Sequence, residues 1–556
     1  MQEPKLYLKQ NVQCEPLFNQ WYAWTHLIAP QTAAMFIANL HLKIMKSYLA
    51  APQIHANAVN NPAMLGGPFI DYQGGRLGEI RALAERTTKD SAHMIEFAES
   101  VRAVDEMLKN EAKGYSLEPL YQKIPQNLRG YVELVYDLNN NPSIRFVEGL
   151  LYKSRYYDPG CQSILLSAID QDDRAFALST PRLPDNESLQ IMIPFADDGI
   201  DELFRMKQVP RTFSYIKERL KLEDDQEELF KSFLTDKQPP ELQRYSGDGV
   251  RVRYFGHACV MLETKDVSIL TDPALSYSYD NGIERYSYQD LPKVIDYVLI
   301  THSHQDHVMF ETLLQLRHKI KNIIVPRSHG GNLEDPSTKQ VLKNIGFRNV
   351  TEIDEMETID IEGGSITGLP FFGEHCDLNI GTKAAHHIRL RNKTFLLAAD
   401  SNNIAPELYQ RLFALVGKIE VLFLGMECDG APMSWLYGPL LTKPLDRKMD
   451  QSRRFSGSNY EKGIEIVNRF GCEEVYVYAL GQEPWLRYAL SLKYTDESNP
   501  IIHSNKLVAE CQSRGIVSER LFGIKERFYC ESKPLPEYST SGQSDLDVIC
   551  QQAGVS

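Results

Sequence analysis

The stretch VIDYVLITHSHQDHVMFETLLQLRHKI, residues 294–320, has three parts of different pattern. Residues 294–300 form an apolar run broken only by Asp296, as in a buried strand. Residues 301–308, THSHQDHV, bring His302, His304, Asp306 and His307 together. The remainder, MFETLLQLRHKI, reads as a helix. In an extended segment alternate residues share a face, so His302 and His304 can point at one metal ion. Asp306 and His307 lie beyond the turn and can reach a second. Neutral imidazoles and carboxylates suit iron, zinc or manganese, and four ligand-type residues at this spacing are not expected of an ordinary polar loop.

The surroundings continue the pattern. GVRVRYFGHACVMLET (249–264) and VSILTDP (267–273) read as strands joined tightly. KNIIVP (321–326), SITGLPFF (365–372), HHIRLRNKTFLLAADS (386–401) and KIEVLFLGME (418–427) add further strands. Strands and helices alternate irregularly, with antiparallel hairpins among them. The expected fold class is α/β, two sheets covered by helices in a four-layer αββα sandwich.

At 556 residues the chain is too long for one core, so two or three domains are expected. A polar segment with paired prolines, TDKQPPELQRYSGDG (235–249), follows the charged helical run TFSYIKERLKLEDDQEELFKSFL. It divides a mixed α+β N-terminal domain, 1–245, from the sandwich domain, 246–531. Residues 532–556 read as a flexible tail. The N-terminal domain carries β-like runs such as GYVELVYDL (130–138), and its GGRLGE (74–79) lacks the strand and spacing of a dinucleotide loop.

A net charge of −14 argues against nucleic acid as a partner. Residues 17–44 are uncharged until Lys43, but Asn, Gln, Thr, His and Pro30 interrupt the run, so buried helices are expected rather than a membrane span. No secretory signal is recognisable. Nine scattered cysteines suggest neither a disulfide framework nor a zinc ribbon, and a cytoplasmic setting is the simplest expectation.

The H-x-H-x-D-H motif after a strand, with GHACVMLE and ILTDP upstream, resembles the metallo-β-lactamase superfamily over roughly 250–530. The resemblance implies the αββα fold and a two-metal site. It also matches Asp272 to an aspartate that orients a ligand histidine, and Asp400, in FLLAAD, to the metal-bridging carboxylate. A further ligand is expected in LPFFGEHCDLNIG (369–381), where Glu374 and His375 stand side by side. Past His387 only His503 remains, at the start of an amphipathic helix, where a structural role is expected.

With Glu374 the set is three histidines and three carboxylates, an oxygen-rich balance that fits iron better than a di-zinc hydrolase. This set and the large preceding domain resemble the di-iron β-hydroxylases of non-ribosomal peptide synthesis. That resemblance implies His302, His304 and Glu374 on one iron, Asp306 and His307 on the other, and Asp400 bridging. Glu374 and Asp400 are the candidate catalytic carboxylates. It further implies a monooxygenase that uses O2 as co-substrate and an external electron donor. The substrate would be an amino acid tethered by phosphopantetheine to a carrier protein, the reductase a separate protein, and the enzyme a homodimer. A di-zinc hydrolase of esters, lactones or phosphodiesters is the alternative, and would take His375 as ligand. The basic segment KPLDRKMDQSRR (443–454), with Arg453 and Arg454, is a candidate carrier-docking patch. Trp435 and Tyr437 are candidate pocket residues.

Overall fold

Val250, Val252 and Tyr254 alternate with Arg251 and Arg253 along the strand Val250–Gly256. The alternation sends the three apolar side chains into the layer between two sheets, against Ile366, Ile388, Phe395 and Phe423 of the opposite sheet. The computed structural model describes residues 3–530; the tail expected at 532–556 lies outside them. Each sheet of the sandwich has seven strands.

In the first sheet, Ile295–Leu299 pairs in parallel with Ser268–Thr271 on one side and Ile320–Pro326 on the other. The antiparallel hairpin of Val250–Gly256 and Cys259–Glu263 continues that sheet, and Lys525–Tyr529 pairs beside Val250–Gly256. The second sheet contains the hairpin Ala385–Leu390 and Lys393–Leu397, followed in parallel by Val421–Gly425 and Glu474–Tyr478. Helices Pro406–Val416, Tyr460–Phe470 and Asn499–Ser513 supply apolar residues to the cluster on the outer face of this sheet. The layered α/β sandwich expected from the sequence is therefore present.

The N-terminal part is mixed α+β, with a four-stranded sheet and long helices including Leu77–Asp90 and Ala92–Glu111. Its strand Val12–Phe18 and helix Asp198–Arg205 pack on Phe310–Leu316. All seven residues of Phe310–Leu316 are buried, Glu311, Thr312 and Gln315 included. One apolar cluster runs from Leu8 to the outer face of the first sheet and on to Trp485.

Two local expectations change. The apolar stretch at 17–44 is buried, but it begins as strand, because Val12–Phe18 pairs along its whole length with Gln162–Ala168. No helix among the described residues is long and apolar enough to cross a membrane. The charged run at 212–234 is two helices, Phe213–Leu220 and Glu227–Ser232, separated where Lys221 takes a left-handed φ of 53°. All eight cysteines among the described residues are free.

Candidate metal centre

Strand Ile295–Leu299 delivers the chain into the loop that carries His302, His304, Asp306 and His307. The loop turns where His304 O accepts hydrogen bonds from His307 N at 3.2 Å and Val308 N at 2.9 Å. Asp272, at the end of the neighbouring parallel strand, ties both ends of this loop together. Its Oδ1 accepts from Thr301 N at 2.8 Å, and its Oδ2 accepts from Thr301 Oγ1 at 2.6 Å and His307 Nδ1 at 2.8 Å. The orienting contact expected of Asp272 is thus made to His307.

The two remaining candidate ligands come from the second sheet. Glu374 sits in an irregular loop where Glu374, Cys376 and Asp377 have φ of 65°, 55° and 59°. Asp400 follows strand Lys393–Leu397, just after Ala399 with φ of 47°. Non-glycine residues held in this region concentrate strain, which is common at functional sites. His304 Nδ1 lies 3.1 Å from Glu374 Oε1. Asp400 Oδ2 lies 3.7 Å from His302 Nε2 and 3.2 Å from His307 Nε2. Asp306 Oδ2 lies 3.6 Å from His307 Nε2. The six candidate ligands therefore converge in three overlapping groups: His302 with His304, Glu374 and His375; His302 with His307 and Asp400; and Asp306 with His307 and His257.

The imidazoles are turned by partners on their far nitrogens, as metal-binding histidines are. His302 Nδ1 meets Thr301 Oγ1 at 3.0 Å, and His304 Nε2 meets the Tyr437 hydroxyl at 3.0 Å. The inward atoms are different. His302 Nε2, His307 Nε2 and Asp400 Oδ1 are buried and make no hydrogen bond. Leaving such atoms unpaired costs about 1–3 kcal/mol each, a cost that coordination would remove.

Electrostatics agree. Burial opposes ionisation of Glu374, but His304 and His375 outweigh it and hold the carboxyl well below its usual range. Burial likewise opposes a charged Asp306, and His307 and His257 overcome it. His302, buried among other imidazoles, is driven toward the neutral form that binds metal. His307 is pushed the other way: burial is outweighed by Asp306, Asp272 and Asp400, so it holds a proton that a bound cation would displace. Three imidazoles and three carboxylates around one buried point fit two iron ions.

His375 joins the cluster too. Its Nδ1 is 2.7 Å from Glu374 Oε2, and its ring stacks on His304 at 4.6 Å. Tyr437, expected as a pocket residue, is a buried partner of His304 instead. Trp435 donates from Nε1 to Gly66 O at 2.9 Å and lies 6.0 Å, ring to ring, from Phe455, which in turn contacts the His304 ring. Arg453 is half-buried, and its Nε donates to Cys376 O at 2.8 Å, bracing the loop that carries Glu374. Arg454 pairs with Asp429 at 3.7 Å. The exposed cations of that segment are Lys443, Arg447 and Lys448. His503 is remote and accepts from Tyr460 N at 3.3 Å, a structural role. The residue that the sequence reading missed is His257, whose Nε2 is 3.0 Å from Asp306 Oδ2. Its one signal was its place after a strand in GHAC.

Residues 7–239 match a family model described as the N-terminal domain of di-iron non-haem β-hydroxylases, and residues 251–424 match a β-lactamase superfamily domain. The 4-amino-L-phenylalanyl-[CmlP-peptidyl-carrier-protein] 3-hydroxylase of Streptomyces venezuelae is 39% identical over 523 residues, 92% of this chain and 98% of that one. The chain belongs to the di-iron β-hydroxylase family. The crystal structure of CmlA, the di-iron β-hydroxylase of Streptomyces venezuelae, superposes with a TM-score of 0.90 at 37% identity, covering 95% of this chain and all of that one. A glutamate-to-aspartate variant of CmlA superposes at 0.87, with 38% identity and 94% of this chain covered. As a member of this family the protein is a di-iron hydroxylase, and the di-zinc hydrolase alternative is not favoured.

Proposed function

We propose that this chain β-hydroxylates an aminoacyl group tethered to a peptidyl carrier protein, as an O2-dependent monooxygenase. The observation that supports this reading best is the buried convergence of three imidazoles and three carboxylates with unpaired inward atoms. His302, His304 and Glu374 would hold one iron, Asp306 and His307 the other, and Asp400 both. The two irons, when bound, supply activation of O2 for replacing a Cβ hydrogen by hydroxyl, with electrons from an external donor.

The chain's own residues orient and enclose. Asp272 holds His307, and Tyr437 holds His304. His375, at 2.7 Å, keeps Glu374 turned inward. Phe371 and Phe455 pack edge-on against His302 and His304 and exclude water. The N-terminal part reaches the same loop, where Thr25 Oγ1 donates to Ser303 O at 3.2 Å. That contact favours a role for residues 1–245 in shaping substrate access to a catalytic domain at 246–531. Lys443, Arg447 and Lys448 would receive an acidic carrier. A separate reductase and a homodimer complete the proposal, on the family resemblance.

Metal content tests it. Purified protein loaded anaerobically with ferrous iron should hold close to two irons per chain, with absorption lost on reduction and restored by O2. Glu374→Ala should lose one iron. Two zincs without redox response, retained in Glu374→Ala and lost in His375→Ala, would replace the oxygenase by a hydrolase.

A further inference from the structure

We infer that His257 is the positioning residue that fixes the Asp306 carboxylate in the second half of the centre, an inference that rests on the di-iron assignment above. The backbone is shaped to present it. The register between Val250–Gly256 and Cys259–Glu263 shifts between Tyr254 and Gly256, which forms a bulge. Gly256 has a φ of 110°, and a Cβ there would stand 3.1 Å from the Trp485 ring. His257 follows with a φ of 51°, a conformation that a non-glycine residue rarely adopts. Its carbonyl accepts from Ala479 N at 3.0 Å, so both sheets hold it. The side chain is aimed at the metal loop, with Nε2 3.0 Å from Asp306 Oδ2 and its ring 4.9 Å from that of His307.

His257, Asp306 and His307 are close enough to be three ligands of one ion. The far nitrogen of His257 separates ligand from donor. His302, His304 and His307 each have a partner on the nitrogen facing away from the cluster. His257 Nδ1 is buried and has none. As a ligand through Nε2, His257 would carry its proton on Nδ1, a buried N–H without an acceptor. As a donor through Nε2–H, it leaves only an unprotonated nitrogen unpaired, and under-satisfied acceptors are the more tolerated case. His257 therefore donates to Asp306, and stops that carboxylate from rotating as the centre binds metal.

The test compares His257→Leu, which removes the donor, with His257→Gln, whose amide N–H reaches the same place. Both are read as the full chain, by thermal midpoint, by iron per chain after ferrous loading and desalting, by dissociation into a chelator, and by the split of kcat from KM. The Leu variant should keep its thermal midpoint and one firmly held iron, but release the second about 10- to 100-fold more readily. Its kcat should fall with KM unchanged, and the Gln variant should restore two irons. Should the Leu variant fail to fold, His257→Asn, too short to reach Asp306, takes its place. Wild-type iron release in the donor-less variant overturns the inference. Equal loss of the second iron in the Leu and Gln variants overturns it in favour of ligation. If the wild-type protein itself takes no iron, the di-iron assignment fails first and this role falls with it.

Discussion

The carboxylate of Asp272 receives three hydrogen bonds, from Thr301 N, Thr301 Oγ1 and His307 Nδ1. None of its atoms belongs to the candidate ligand set, yet the direction of His307 depends on it. Asp272→Asn would leave the loop intact in outline and turn Oδ2 into a donor or a neutral acceptor. Iron affinity should fall about 10- to 100-fold, chiefly at the half held by Asp306 and His307. Competition with a chromophoric chelator measures this, with Asp272→Glu as the variant that keeps the charge. Tyr437→Phe is the matching change on the other half, since it removes only the hydroxyl at His304 Nε2. Its loss of affinity should be smaller, because a neutral hydrogen bond contributes about 0.5–1.5 kcal/mol.

At the scale of elements, the segment at 443–454 has two jobs that its charge count alone does not separate. Helix Arg447–Ser452 stands with Arg447 and Lys448 exposed, and the chain then turns Arg453 inward to the Cys376 carbonyl. Arg453→Ala should release the loop that carries Glu374, so that iron leaves about tenfold faster, for a lost contact of roughly 1–3 kcal/mol. Charge reversal at Arg447 and Lys448 should leave iron content unchanged and raise KM for carrier-bound substrate, while a free aminoacyl analogue is turned over as before. Equal effects of the two changes on iron release would show that the segment acts as one brace and has no docking role.

The whole molecule is joined by a buried ionic network as well as by its apolar core. Arg174 pairs with Glu15 at 2.7 Å and Glu311 at 2.8 Å, and Arg182 pairs with Glu15 at 2.8 Å. The Tyr22, Tyr277 and Tyr488 hydroxyls also donate to Glu311, at 3.0, 2.7 and 3.1 Å. Glu311 lies in Phe310–Leu316, directly after the metal loop, so the N-terminal part and the site share these contacts. Removing one partner leaves a buried charge, and Arg174→Met should cost about 3–5 kcal/mol. With one apolar cluster spanning both parts, calorimetry should show a single unfolding transition rather than two. Burial raises the Glu15 pKa, but Arg182 and Arg174 outweigh it and bring it to about 2, below the ordinary 4.5. A depressed carboxyl stabilises the fold above its unfolded pKa. That contribution should be intact above pH 4.5 and disappear as pH falls below it. Urea unfolding across that range in wild type and Glu15→Gln checks the sign, since the variant should lose the pH-dependent part.

The sequence by itself determined the sandwich and four of the six candidate ligands. Strand alternation and the H-x-H-x-D-H spacing are local properties, and His302, His304, Asp306 and His307 fall in one loop after one strand. Asp400 was legible through resemblance, at the end of an apolar run. Glu374 and His375 were not separable, because neighbouring residues in a loop with left-handed backbone follow no period that fixes their direction. Apart from Asp272, the outer partners were decided only by the tertiary structure. Tyr437 meets His304 across 133 residues and Thr25 meets Ser303 across 278. His257 reaches Asp306 across 49 residues, from a bulge between two strands. Such contacts depend on which strands pair and how two sheets stack. Spacing along the chain can bring together the residues that bind a metal. The residues that hold those ligands still are brought there by the folding of distant segments around a shared core.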